Sequence, residues 1–380
     1  LGMAAVSLGL ARFSYALLLP PMRADLGWSY VTAGAMNTVN AAGYLVGALL
    51  MPRAMARLDA RTLMLGGGFA AALVLAAHGA VRADAWLYLL RGLAGVASAA
   101  SFVGGGVLAA RLATSPASGG RSGLVLGIYY GGTGLGIVAA SAGVPVMVDR
   151  SWLGWPPAWM ALGALAAVAT AITVAGTRSL VAPPMATAHR QPVPLGPMAF
   201  GLAGYLMFGL GYIGYMTFIV TLLREQGMAA GVITAFYALL GVGVVASSWL
   251  WAGLLQRHRG GRPLAVLNGL LALATVLPVV SHHPLAVFAS GALFGSVFLS
   301  VVASTTALVR HNLPASAWPA GSAAFTIVFA AGQIVGPVAV GWVADGPGGL
   351  LRALACSAAM LALGAVLAAR QRPFGAVTTP

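Results

Sequence analysis

The sequence predicts an all-α polytopic membrane protein of twelve transmembrane helices in two pseudo-symmetric six-helix bundles, and three observations predict it. The first is composition. Of 380 residues, 60% are apolar and 7% charged, with a mean hydropathy of +0.92, where a soluble domain carries about 25% charged residues. The second is charge placement: all 20 cationic residues are arginines, and they gather in alternate connections between apolar runs. The third is an internal repeat. At an offset of 200 residues Gly9, Leu10 and Tyr15 recur as Gly209, Leu210 and Tyr215.

At about 20 residues per span plus short connections, the length fits about twelve helices. Apolar runs place them at 3–21, 30–52, 62–81, 86–110, 123–148, 153–176, 197–222, 230–255, 263–281, 284–309, 321–343 and 350–369. The first span carries Arg12 near its middle and ends at Pro20-Pro21. The second holds Asn37, Asn40 and Tyr44 at i, i+3 and i+7, one polar stripe on a helix. The third and fourth contain Gly66-Gly67-Gly68 and Gly104-Gly105-Gly106, which read as close helix contacts rather than phosphate loops. The fourth also carries Arg91, and His78 lies near the end of the third. The seventh offers Tyr205, Tyr212 and Tyr215; the eleventh holds Gln333, its sole amide, beside a Gly336-Pro337 kink. Trp28, Trp86, Trp152, Trp155 and Trp318 fall near predicted interfaces, as an aromatic belt does.

Odd-numbered connections hold five arginines. Even-numbered connections and the C-terminal tail hold thirteen, among them Arg53, Arg57, Arg61, Arg111, Arg121, Arg257 and Arg310. The positive-inside rule then places both termini in the cytoplasm. Asp25 aligns with Glu225 and Arg57 with Arg257; Gly27, Gly43, Gly132 and Gly136 recur as Gly227, Gly243, Gly332 and Gly336. The longest polar connection contains Pro183-Pro184, His189-Arg190 and Pro192, which predicts an extended linker. The expected domains are an N-terminal bundle over 1–178, a cytoplasmic linker over 179–195 and a C-terminal bundle over 196–380.

Several functions are excluded. A net charge of +14 spread over alternate loops is a topology signal, so nucleic acid is not an expected partner. The single Cys356 rules out an internal disulfide or a cysteine metal cluster. The six histidines lack metal-site spacing, so no metal or other cofactor is expected. No nucleophile, acid pair or metal constellation appears in the spans, so an enzyme is not expected.

The loop after span 8, Gly253-Leu-Leu255-Gln-Arg257-His-Arg-Gly260-Gly-Arg262, resembles the loop motif of the major facilitator superfamily, with Arg257 where the family has aspartate. The loop after span 2 keeps Arg53, Arg57 and Arg61 and puts Ala56 at that position. Arg91-Gly-Leu-Ala-Gly95 is similar to the family's helix 4 motif; Gly127 and Gly136 keep the antiporter spacing, but Ala140-Ser141 replaces its Gly-Pro. The first fifty residues, with Gly9-Leu-Ala-Arg12-Phe-Ser-Tyr15 and Asn40-x-x-Gly43-Tyr44, resemble the bacterial YbfB/YjiJ-like branch. The resemblance implies two rocking bundles around a midplane site lined by helices 1, 4, 7 and 10, in a bacterial inner membrane, and a monomer.

Arg12 lies about 14 Å from the outer end of its helix, too deep for easy snorkelling. Two readings stand: its guanidinium pairs with an anionic group of a cargo, or it bonds carbonyls and ties helices. No Asp or Glu lies inside a span, so an anionic cargo would supply the missing counter-ion. The expected substrate-binding residues are Arg12, Tyr15, Asn37, Asn40, Tyr212, Tyr215 and Gln333. For the amides and tyrosines, interhelical bonding is the plainer alternative. Candidates for coupling or gating are Arg91, Asp25, Glu225, Arg57 and Arg257, with protons as the coupled ion carried by substrate or boundary groups. Arg91 reads equally as a helix-end arginine bonding carbonyls. The leading expectation is secondary active transport of a small organic anion such as a carboxylate. The alternative is an efflux carrier for amphipathic drugs or metabolites, with Arg12 structural.

Overall fold

A computed structural model of the chain describes residues 1–115, 122–150, 154–180, 193 and 195–374. Arg121, Trp152 and Arg190, and the linker residues Pro183, Pro184, His189 and Pro192, lie outside the described residues. The architecture is all-helical, in chain order α1 (Gly2–Leu26), α2 (Tyr30–Met55), α3 (Ala60–His78), α4 (Asp84–Thr114), α5 (Ser122–Arg150), α6 (Pro156–Gly176), α7 (Ala199–Glu225), α8 (Ala230–Arg257), α9 (Arg262–Val280), α10 (Pro284–Asn312), α11 (Trp318–Ala344) and α12 (Gly349–Ala369). Eleven of these are long and apolar enough to cross a membrane. The twelfth, α2, is 26 residues long, and its polar stripe lowers its hydropathy.

Helix boundaries follow local chemistry. Ser29 and Asp59 cap α2 and α3, each accepting from the backbone N–H three residues on, Thr32 and Thr62. The repeat glycines Gly27 and Gly227 end α1 and α7 in the left-handed region, at φ 66° and 76°, where a Cβ would be strained.

Within the first bundle α4 packs between α2 and α3, and α3 against α6; in the second, α10 packs between α8 and α9, and α9 against α12. The bundles meet along α5 with α8 and along α2 with α11. Small residues set those two seams. A Cβ at Gly34 would fall on the Pro337 carbonyl, and one at Gly134 on the Gly241 carbonyl.

All six acids sit at helix ends. Asp25, Asp84, Asp149, Glu225 and Asp345 mark one end of the molecule, the acidic end, and Asp59 caps α3 at the other, arginine-rich end. The acidic end is strutted by indoles: Trp28 donates to Asp84 at 2.8 Å and Trp155 to Asp25 at 2.8 Å. This corrects the aromatic-belt reading for two residues. Trp28 and Trp155 are buried, their N–H groups reaching carboxylates exposed at the acidic end, while Trp86 is exposed.

Candidate substrate site

Arg12 sits in a stretch of α1, Ala5–Phe13, wound with i to i+5 hydrogen bonds, the last from Ser14 N–H to the Gly9 carbonyl at 3.1 Å. Wide turns of this kind are uncommon and cluster at functional sites. Gly9 lets α1 meet α5 here, since a Cβ would strike the Gly136 backbone.

The Arg12 side chain is 5% exposed, and its Nε and Nη2 are buried without a hydrogen-bond partner among the described residues. Its guanidinium carbon lies 5.9 Å from the ring centres of both Phe13 and Tyr44. Its chain neighbour Phe13 meets Phe298 of the other bundle, and Phe298 in turn stacks on Tyr212. Tyr212 accepts a short hydrogen bond from the Gln333 amide, which brings α7 and α11 to the same point. Arg12 and Tyr44 from one bundle therefore face Tyr212 and Gln333 from the other.

The wall of this cluster is aromatic. Tyr212 stacks with Phe208 at 4.6 Å, Phe329 at 5.7 Å and Phe298 at 6.1 Å, with planes within 20° of parallel. Phe13 meets Phe298 edge-on at 5.6 Å.

The other expected binding residues are engaged elsewhere. Tyr15 donates to the Ala33 carbonyl at 2.9 Å, and its ring lies under Arg91 at 4.6 Å. Tyr15 therefore faces α2 and α4 rather than joining the Arg12 cluster. Asn37 accepts from Arg91 Nη2 at 3.3 Å and donates to Thr217 at 2.7 Å. Asn40 donates to the Arg91 carbonyl at 3.0 Å. The stripe on α2 thus divides: its amides serve Arg91, and Tyr44 serves Arg12. Tyr215 hydrogen-bonds Ser290 at 2.6 Å and stacks on Phe294 at 4.0 Å within the second bundle.

Arg91 is 1% exposed. Besides Asn37 it reaches the Ala11 carbonyl through Nη1 at 3.1 Å and the Met36 carbonyl through Nε at 3.4 Å. Asp25 accepts from Arg82 at 2.7 Å as well as from Trp155, which ties the first bundle to itself. Glu225 instead joins the bundles, taking a short hydrogen bond from the Tyr30 hydroxyl and lying 3.7 Å from Arg23. Asp345 receives the Tyr30 and Val31 N–H groups at 2.8 and 2.9 Å, so α11 also caps α2 across the seam. Arg57 and Arg257 are exposed at the arginine-rich end.

Sequence reasoning omitted Tyr44 from the site, along with Phe13, Phe298 and Phe329. The stripe on α2 had flagged Tyr44. The phenylalanines carried no signal apart from their place in apolar spans.

A family profile described as an uncharacterised MFS-type transporter, YbfB, matches residues 4–369. The chain belongs to the major facilitator superfamily, in this YbfB-like family. Its fold is that of a mutant of the nucleoside transporter NupG, with a TM-score of 0.78 at 14% identity over 97% of this chain and 98% of that one. It is likewise that of a bacterial homolog of the human lysosomal transporter Spinster, with a TM-score of 0.72 at 13% identity over 98% and 96% of the two chains. A chloramphenicol resistance protein of Streptomyces lividans is 29% identical over 366 residues, covering 90% of this chain and 88% of that protein. The chain is a multi-pass membrane transporter of a small molecule, and its family and structural relatives are transporters rather than enzymes.

Proposed function

We propose that the protein is a secondary active transporter of a small organic anion such as a carboxylate, bound by Arg12 between the two bundles. One observation carries the reading: a buried guanidinium with two unpartnered nitrogens, in a chain whose acids all sit at helix ends. Guanidinium stays charged, and a buried charge without a partner is costly, so the fold keeps a cation that an anionic cargo would neutralise. Alternating access by rocking of the two bundles fits a site built from both of them.

The YbfB-like family supports a bacterial inner membrane and the arginine distribution supports cytoplasmic termini, which makes the acidic end the outer one. On this reading the protein acts as a monomer divided into bundles 1–178 and 196–380 by the linker 179–195. Protons coupled to transport would be carried by the substrate's own acid or by boundary groups such as Asp25 and Glu225. The test is uptake of radiolabelled carboxylates into proteoliposomes. Wild type is expected to accumulate them; Arg12→Ala is expected to lose that accumulation and still reconstitute. Unchanged uptake by Arg12→Ala would overturn the proposal.

A second reading, efflux of amphipathic compounds, is favoured by the likeness to the chloramphenicol resistance protein. It predicts drug tolerance in cells expressing the protein, unaltered by Arg12→Ala.

A further inference from the structure

We infer that the cargo is an aromatic monocarboxylate, held by its carboxylate on the Nε and Nη2 edge of Arg12 and by its ring against the Tyr212 wall. The inference rests on the reading of Arg12 as an anion receptor and narrows it on three grounds.

The first is geometry. Nε and Nη2 lie on one edge of the guanidinium plane, the edge that grips both oxygens of a carboxylate side-on. These are the two nitrogens the fold leaves buried and unpartnered. A lone neutral acceptor would satisfy one of them and leave the other.

The second is charge. Arg91 is the other arginine within the spans, and Asn37, the Ala11 and Met36 carbonyls and the Tyr15 ring occupy it. Arg12 therefore supplies one free positive charge. A monoanion balances it, whereas a dianion would carry an unpaired charge into a low-dielectric site.

The third is the wall. Phe13 and Tyr44 flank Arg12, and Phe13 leads through Phe298 to the stack of Tyr212 and Phe329, all rings. Aromatic surfaces favour flat aromatic partners beyond simple burial of area. Tyr212 accepts from Gln333, and its own hydrogen has no acceptor among the described residues. The site thus adds another donor to the two of Arg12, which suits a group made only of acceptors.

The test is thermal unfolding of the purified full chain with benzoate, cyclohexanecarboxylate, terephthalate and benzamide, repeated on Arg12→Gln and Tyr212→Leu. Benzoate is expected to raise the wild-type Tm and to bind at least tenfold tighter than cyclohexanecarboxylate, with no shift from terephthalate or benzamide. Arg12→Gln is expected to lose the benzoate shift, and Tyr212→Leu to lose the preference for benzoate over its saturated analogue. Equal binding of saturated or doubly charged acids, abolished in Arg12→Gln, would overturn the aromatic monocarboxylate and leave the anion reading standing. No shift from any acid, or a benzoate shift retained in Arg12→Gln, would overturn both. Should Arg12→Gln not fold, the wild-type rank order decides: benzoate above cyclohexanecarboxylate above terephthalate supports the inference, and any other order ends it.

Discussion

Two arginines lie buried within the spans of this chain, and they are provided for in opposite ways. Arg91 is enclosed by carbonyls from α1 and α2, by the Asn37 amide and by the face of Tyr15. Arg12 is almost as buried but keeps Nε and Nη2 unpartnered. Burial alone therefore does not separate a structural cation from a functional one; the state of the donors does. Arg91 also holds the carbonyl of Ala11, the residue before Arg12. It is best described as a positioning residue that fixes the backbone from which the receptor extends.

The comparison breaks most sharply at Arg12. Arg12→Ala removes a charge-assisted pair, each such bond being worth about 1.5–3 kcal/mol, so cargo affinity is expected to fall by at least roughly 100-fold. Equilibrium binding measures it. Stability should move the other way: Arg12→Leu replaces an unsatisfied buried charge by an apolar side chain, and the cargo-free protein is expected to melt no lower than wild type. Arg91→Leu should do the reverse. It strands Asn37 and two carbonyls, costing about 2–4 kcal/mol in unfolding free energy, read as a fall in Tm in detergent. A stable Arg91→Leu beside an unstable Arg12→Leu would invert the assignment of the two residues.

A smaller effect tests the same contrast among the acids. Asp25 and Glu225 are repeat partners, yet Asp25 braces one bundle and Glu225 bridges two. Glu225→Gln and Tyr30→Phe are each expected to weaken the bridge at the acidic end by about 1 kcal/mol, shifting the bundles apart there. Asp25→Asn should lower Tm without that shift. Spin-label distances across the acidic end, on a Cys356→Ser background, would register the difference.

The fold was largely legible because its signals are local. Apolar length gave the spans, and the repeat picked out glycines that the structure places at two helix ends and where helices cross. The arginine in α1 was legible as well, because a charge in an apolar run stands out without any structure. Its surroundings were not. Tyr15, named with Arg12 among the binding residues, instead bonds the Ala33 carbonyl and lies under Arg91. Periodicity treated Asn37, Asn40 and Tyr44 alike, and only packing against α4 separated amides from phenol. The bridge from Tyr30 to Glu225 spans 195 residues, beyond the reach of any local pattern.

The least effect belongs to the lone acid of the arginine-rich end. The loop after α2 lacks the family's usual aspartate, and Asp59 instead caps α3 through the Thr62 backbone N–H at 3.0 Å and the Thr62 hydroxyl. Those bonds hold its carboxyl below the ordinary carboxylate range, the hydroxyl contributing most and the backbone N–H next. A carboxyl with a depressed folded pKa stabilises the fold above its unfolded value, and the benefit fades as pH falls through the folded one. Asp59→Ala is therefore expected to cost about 0.5–2 kcal/mol at neutral pH, toward the low end given its exposure, and almost nothing in strong acid. Hydrogen exchange of the first turn of α3, followed from neutral to acid pH, would show wild type converging on the variant. Because Asp59 bonds Thr62 at the arginine-rich end and neither buried arginine, cargo binding should be unchanged. A loss of binding would mean that this loop, despite its altered motif, still communicates with the site.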